Sequence, residues 1–195
     1  MNVLGIIGAG QMGAGIAQVA ITNGLEVVLQ DASPEVLVIA KSKIEKNLAK
    51  LIEKGKLQDI AAKEAISRLQ TTKHLADISR AEFLVEAISE KPDIKFELFR
   101  TIDSICGEGV ILASNTSSIS ITAIASQTRR ADRVIGMHFM NPVPVMSLVE
   151  IIRGLKTSSE TMKTTMDLGL KLGKVCIESK DYPGFVVNRI LMPMI

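Results

Sequence analysis

Aromatic residues are scarce in this chain of 195 residues: there is no tryptophan, one tyrosine and five phenylalanines. A nucleic-acid surface of basic side chains interleaved with stacking aromatics has nothing to be built from. A net charge of +2 adds no electrostatic reason to expect one. Cysteine is as sparse. Cys106 and Cys176 lie far apart with no CxxC spacing, so a disulfide framework is excluded and two reduced, buried thiols are expected. With only two histidines, His74 and His138, no metal site is expected. No apolar run is long enough to cross a bilayer, and residues 1–9 carry no basic leader. The expectation is a soluble, cytoplasmic chain without membrane or nucleic-acid partners.

What is present is a large apolar fraction, 47%, enough to bury the core of one domain and to begin another. The most informative stretch is Gly8-Ala9-Gly10-Gln11-Met12-Gly13. It fits G-x-G-x-x-G, in which glycines allow a tight turn and bring backbone N–H groups against a pyrophosphate at a helix N-terminus. The pattern alone is weak, but its setting is specific. Val3–Ile7 reads as a buried strand, Ala14–Asn23 as a helix stopped at Gly24, and Glu26–Gln30 as a second strand. Asp31 follows eighteen residues after Gly13. An acid there accepts adenosine ribose hydroxyls and repels a 2′-phosphate, which favours NAD over NADP.

The remainder alternates in the same way. Ser33-Pro34-Glu35 reads as a helix start. The helix runs to Glu53, breaks at Gly55, and is followed by a second over 59–69; this lysine-rich pair is too long for a simple crossover. Strands are expected over Phe83–Ala87, Val110–Ala113, Arg133–Met137, Ser147–Ile152 and Val175–Glu178, with helices over 92–105 and 158–172. Strands alternating with helices predict an α/β fold with a doubly wound, mostly parallel sheet of Rossmann type. After the turn Tyr182-Pro183-Gly184 an apolar helix begins at Phe185 and stops at Ile195, so the chain reads as the front part of a longer protein. The expected division is 1–182 for the nucleotide-binding domain and 183–195 for the truncated start of an all-α second domain.

In such sheets ligands collect at the carboxyl ends of the strands. Asn115, Ser117 and His138 fall there. Glu150, twelve residues past His138, interrupts the apolar run Leu148–Ile152, and a carboxylate inside such a strand is costly unless paired. A His–Glu pair would fix the ring tautomer and raise its basicity, which suits proton removal from an alcohol. The pattern is equally consistent with His138 as a satisfied core residue and Glu150 bonded to backbone. His74, between Lys73 and Leu75, reads as a solvated loop histidine.

Taken together, Gly8–Gly13, Ser114-Asn115-Thr116-Ser117-Ser118, His138-Phe139-Met140-Asn141-Pro142 with Glu150, and Asp181-Tyr182-Pro183-Gly184-Phe185-Val186-Val187-Asn188-Arg189 resemble the short-chain L-3-hydroxyacyl-CoA dehydrogenases, of the bacterial 3-hydroxybutyryl-CoA type. The resemblance covers the whole chain and keeps the family's motif order. It implies an NAD-dependent exchange of (S)-3-hydroxyacyl-CoA and 3-oxoacyl-CoA in fatty acid or butanoate metabolism. His138 then matches the general base, Glu150 its carboxylate partner, and Ser117 and Asn188 groups near the substrate oxygen. Gly8, Gly10, Gln11, Met12, Gly13, Asp31, Ala87, Glu90, Lys95, Asn115, Ser117 and Asn141 match dinucleotide contacts. Lys50, Lys54 and Lys56 are candidates for the CoA phosphates, although acidic neighbours make a solvated helix face the plainer reading for most of the lysines. The family's helical second domain forms a homodimer and closes the cleft. Since only its first helix is present here, NADH binding with little turnover is expected of this chain. Two rivals stand: a two-domain hydroxyacid dehydrogenase using a catalytic lysine, and a non-catalytic NAD-binding or structural protein of the same fold.

Overall fold

The computed structural model describes residues 1–194. One sheet of eight strands forms its centre: β1 (Val3–Ile7), β2 (Glu26–Gln30), β3 (Leu69–Thr72), β4 (Phe83–Glu86), β5 (Ile111–Ser114), β6 (Val134–Phe139), β7 (Leu148–Arg153) and β8 (Val175–Lys180). They lie in the order β3-β2-β1-β4-β5-β6-β7-β8. Every neighbouring pair is parallel except β6 and β7. The chain starts mid-sheet, winds to one edge, returns beside β1 as β4 and winds to the other edge. The reversal between β1 and β4 is the switch point at which a crevice opens beyond the strand ends.

The described residues form seven α-helices: α1 (Gln11–Thr22), α2 (Pro34–Glu53), α3 (Asp59–Ser67), α4 (Pro92–Ile105), α5 (Ile121–Ala125), α6 (Ser159–Lys171) and α7 (Val187–Leu191), the last of which buries no side chain. Side chains alternate across a strand, and the core divides accordingly. Leu4, Ile6, Val27, Leu29 and Met137 pack with α1, α2, α3 and α6. Val28, Leu84, Leu112, Val134 and Ile152 pack with α4 and α5. α2 begins as its sequence predicts, with Pro34 in the first turn and the Ser33 hydroxyl accepting the Val36 N–H. Leu37, Ala40, Ile44 and Leu48 form its buried stripe, so the lysine-rich pair docks by one face and leaves its charged face to water.

Three elements differ from the sequence reading. The helix expected over 59–69 stops at Ser67, and Leu69–Thr72 becomes β3, paired with β2 at the sheet edge. A glutamine and two threonines on an edge carry too little apolar alternation to announce a strand. α5 occupies a stretch where no helix was expected; five residues do not show a period. The last helix begins at Val187 and passes into a 3-10 turn over Met192–Met194; Ile195 lies outside the described residues.

Both cysteines are free. Burial pushes the Cys106 thiol up to about 11, so it behaves as a small core residue. Beside it lies a buried polar knot. Arg130 donates from Nε to Asp103 at 2.7 Å and from Nη2 to the Asp103 and Cys106 carbonyls. Burial would raise the Asp103 carboxyl, but the Arg129 N–H and both guanidiniums outweigh it and hold it below its usual value. Asp103→Ala is expected to cost about 3 kcal/mol, because Arg130 keeps its carbonyls but loses its countercharge. Since the folded carboxyl titrates low, its contribution is complete above about pH 4 and lost as pH falls through the folded value. Urea unfolding at pH 7 and pH 3 should show the gap between the two proteins narrowing in acid.

Candidate active site

The nucleotide loop leaves β1 through Gly8, whose φ of +97° favours glycine. Its N–H donates to the Gln30 carbonyl at 2.8 Å, which fixes the loop to the end of β2. A Cβ on Gly8 would meet the Ala87 carbonyl at 2.6 Å, and one on Gly13 would meet the Gly8 carbonyl at 1.7 Å. These two glycines therefore bring β1, β4 and α1 together. Gly10 differs: a Cβ there meets nothing within 4 Å. Gly10 is the N-cap of α1, and no side chain caps that helix. The first-turn N–H groups at Gln11, Met12 and Gly13 thus lack a side-chain acceptor beside open space, which fits a pyrophosphate.

Asp31, at the end of β2, accepts the Ala9 N–H at 2.8 Å and the Ser33 N–H at 3.0 Å. It stands at the rim of a cleft of about 720 Å³ walled by Gly8, Ala32, Ile88, Ile94 and Leu98. Asp93, Glu97 and Lys73 also line it, so its apolar wall suits the flat face of an adenosine while Asp31 stands where a ribose would lie. The residues present fit the dinucleotide.

Farther along the carboxyl edge, beneath the loop after β5, lies a buried network. Glu86 and Lys95 are each 1% exposed and paired with one another, and Lys95 also meets Glu90 at 3.3 Å. Glu86 accepts the Ser114 hydroxyl at 2.6 Å and the Ile88 N–H at 2.7 Å. Glu90 accepts the Thr116 hydroxyl and the backbone N–H of Ser117 at 2.7 Å. Burial would raise Glu90, but the Thr116 hydroxyl, Lys95 and the Ser117 N–H keep it below the usual range. Lys95, matched above to a dinucleotide contact, sits under the loop with its ammonium held by two carboxylates. Asn115 accepts the Phe139 N–H at 2.9 Å, and Asn141 accepts from the Gln11 amide at 2.8 Å.

The short connection from β6 to β7 makes them antiparallel, and the register sets His138 opposite Glu150. Directly opposed residues share one face of the sheet. The His138 ring lies between Glu150, with Nδ1 2.8 Å from Oε2, and Ser117, whose Oγ is 3.1 Å from Nε2. Glu150 is wholly buried, and its Oε1 accepts the N–H groups of Val186 and Val187, each at 2.9 Å. A carboxylate can only accept, so Nδ1 carries the proton and Nε2 presents its lone pair to the Ser117 side. Asn188 Nδ2 donates to the Ser117 carbonyl at 3.2 Å, and Phe185 stands edge-on to the imidazole, 5.8 Å between centroids.

A family model described as 3-hydroxyacyl-CoA dehydrogenase, NAD binding domain, matches residues 3–182. The chain belongs to the 3-hydroxyacyl-CoA dehydrogenase family. A probable 3-hydroxybutyryl-CoA dehydrogenase of Bacillus subtilis is 50% identical over 97% of this chain and 66% of its own length. One of Deinococcus radiodurans is 52% identical over 98% and 68%. The crystal structure of (S)-3-hydroxybutyryl-CoA dehydrogenase from Ralstonia eutropha superposes with a TM-score of 0.98 at 47% identity, covering all of this chain and 69% of that one. The chain thus spans about two thirds of the length of these relatives. Family membership sets aside the lysine-based rival.

The remaining candidates lie on the α2 side. Lys54 lines a cavity of about 470 Å³ between α1, α2 and the loop after β6, together with Lys43, Gln18 and Asn141. Lys50 lines, with Lys46, an adjoining groove on α2 that shares Lys43 and Asn47 with that cavity, and Lys56 lines neither. His74 is exposed, as expected. Glu86, Lys43 and Phe185 had not been singled out. Phe185 and the valines after it lay inside the quoted motif, but which backbone N–H would meet Glu150 is invisible until the chain folds back.

The two open and closed glycines separate function from packing. Gly10→Ala, at a φ of −65°, should change stability by less than about 1 kcal/mol, because the entropy gained is offset by alanine's poorer N-capping. It should weaken NADH at least about tenfold, or 1.4 kcal/mol, by keeping the backbone from the phosphates. Gly13→Ala should instead cost about 1–3 kcal/mol of stability through overpacking. Thermal melts and NADH fluorescence titrations read both, and wild-type NADH affinity in the Gly10 variant would remove the phosphate role.

Proposed function

We propose that this chain carries the dinucleotide-binding and proton-transfer parts of an enzyme interconverting short-chain (S)-3-hydroxyacyl-CoA, such as 3-hydroxybutyryl-CoA, and 3-oxoacyl-CoA. The observation that carries this reading is the buried His138–Glu150 pair ending on Ser117 at the same sheet edge as the nucleotide loop. NAD, when bound, supplies the hydride acceptor. His138 receives the 3-hydroxyl proton at Nε2 and returns it in the reverse direction. The positive charge this places on the ring is met by Glu150 at 2.8 Å. Ser117 Oγ shares the Nε2 side and hydrogen-bonds the substrate oxygen, while Asn188 orients Ser117 through its carbonyl. Asp31 selects NAD by accepting ribose hydroxyls. The CoA lies against the lysine-bearing face of α2, with Lys54 nearest the cavity and Lys50 and Lys56 flanking.

The reading extends to the rest of the protein. Residues 183–194 begin a helical second unit: Ile190, Met192 and Met194 are 60%, 60% and 75% exposed, an apolar face that needs cover. We place a homodimer contact in that unit and the protein in the cytoplasm, where two free thiols stay reduced. The metabolic role is in fatty acid or butanoate metabolism.

In the full-length enzyme, His138→Gln should lower turnover by roughly two to four orders of magnitude, read as NADH loss with acetoacetyl-CoA. Activity near wild type would take the base role from His138. Asp31→Arg should move the preference toward NADPH, since the guanidinium replaces a repelling carboxylate with a phosphate partner. Titration with both cofactors reads the ratio, and unchanged discrimination would count against Asp31 as the ribose acceptor.

A further inference from the structure

Asp181 is half-buried just after β8 and makes no contact with the His–Glu pair. Its carboxylate instead accepts the Ile121 and Thr122 N–H groups at 2.9 and 2.8 Å and the Ser120 hydroxyl at 2.8 Å. It therefore caps α5 from sixty residues away in sequence. Burial would raise this carboxyl, but the Thr122 and Ser120 hydrogen bonds hold it below its usual value. It remains an ionised anchor at neutral pH.

Both segments leaving this anchor end at the imidazole. Upstream of α5, three residues before Ser120, is Ser117 on Nε2. Downstream of Asp181 come Phe185 against the ring and the Val186 and Val187 N–H groups on Glu150. Asn188 closes the ring of contacts on the Ser117 carbonyl. The downstream arm is strained. Gly184 has φ +77°, and Phe185, a non-glycine residue only 3% exposed, has φ +50°. A bulky residue stays in that region only where its surroundings over-determine it. The anchor at Asp181 holds one end of the arm and the Glu150 and Ser117 contacts hold the other.

We infer that Asp181 is a positioning residue for the His138–Glu150 pair: by fastening the 182–188 arm to α5 it holds Phe185 in its left-handed conformation and the two valine N–H groups on Glu150. This rests on the reading of His138 as the base. When the anchor is removed, Phe185 relaxes to negative φ and its chain turns the N–H groups away. Glu150 then trades a fixed orientation for water or for other donors, and His138 loses its orienting acceptor.

The test is proton NMR of this chain at neutral pH. An imidazole Nδ1–H bonded to a buried carboxylate gives a low-field, exchange-protected signal, assigned by its loss in His138→Gln. In Asp181→Ala the exchange of that proton should rise by about tenfold or more, as local opening becomes easier. NADH affinity should stay within about twofold, because the nucleotide loop is a separate site. A merely structural cap would lower the melting temperature without changing this proton's exchange, so a wild-type exchange rate in a folded Asp181→Ala overturns the inference. If that variant shows no cooperative melt, Asp181→Asn, which keeps one acceptor oxygen, should show an intermediate increase; an unchanged rate there overturns it equally. Absence of the signal from the wild-type chain would sink the paired His–Glu reading and this inference with it, whereas its presence with an unchanged variant sinks the inference alone.

Discussion

Glu150 has no exposed surface, and a buried carboxylate persists only when its oxygens find donors. Here the donors come from two directions. The imidazole Nδ1 takes one oxygen, and two backbone N–H groups from beyond β8 take the other. Because the backbone donors are uncharged, the negative charge is not cancelled at its own position. It remains available to a ring that gains a proton. An arginine in place of those N–H groups would stabilise the carboxylate as well and deprive the histidine of its partner.

The sheet makes this arrangement specific. In a fully parallel sheet the strand after β6 would return by a crossover, and no register rule would set a carboxylate beside His138. The short turn through Asn141–Ser147 forces an antiparallel pair instead, with Gly136 opposite Ile152 and His138 opposite Glu150. A slip of one residue would send Glu150 into the apolar layer between the sheet and α6. That slip is opposed by Val149 and Ile151, both wholly buried on that side. The turn is itself fastened by Lys174, whose ammonium donates to the Val143 and Met146 carbonyls at 2.6 and 2.9 Å. Burial lowers the Lys174 pKa.

Much of this was legible beforehand because it is local. The Gly8–Gly13 loop, the acid after β2 and the strand–helix alternation are short-range patterns with physical causes, and the structure has them within a few residues. Motif order extended that to the family. What stayed hidden is non-local or too short. β3 is polar because it lies on an edge, and α5 has fewer residues than two turns. The choice between a His–Glu pair and a satisfied core histidine could not be made from spacing, because twelve residues are compatible with either register. The lysines are close in sequence, but which cavity each lines is not legible there: Lys54 at the C-cap of α2 lines one, and Lys50 inside the helix lines its neighbour, the two sharing Lys43 and Asn47.

Two kinds of support meet at Ser117, and their difference explains why polar residues are tolerated in this core. Below it, Glu86, Lys95 and Glu90 form a chain of alternating charge in which every member is hydrogen-bonded, and no buried side-chain polar atom among the described residues lacks a partner. Such a network costs desolvation but leaves few alternative geometries. Above it, Asn188 and the arm from Asp181 supply uncharged contacts, one amide on the Ser117 carbonyl and two backbone N–H groups on Glu150. The loop bearing Ser117 is thus held from both sides, by ion pairs beneath and by neutral donors above, and the serine keeps its distance to an imidazole anchored in β6. Placing the ion pairs beneath the loop and only neutral donors above it leaves the charge of Glu150 to the ring.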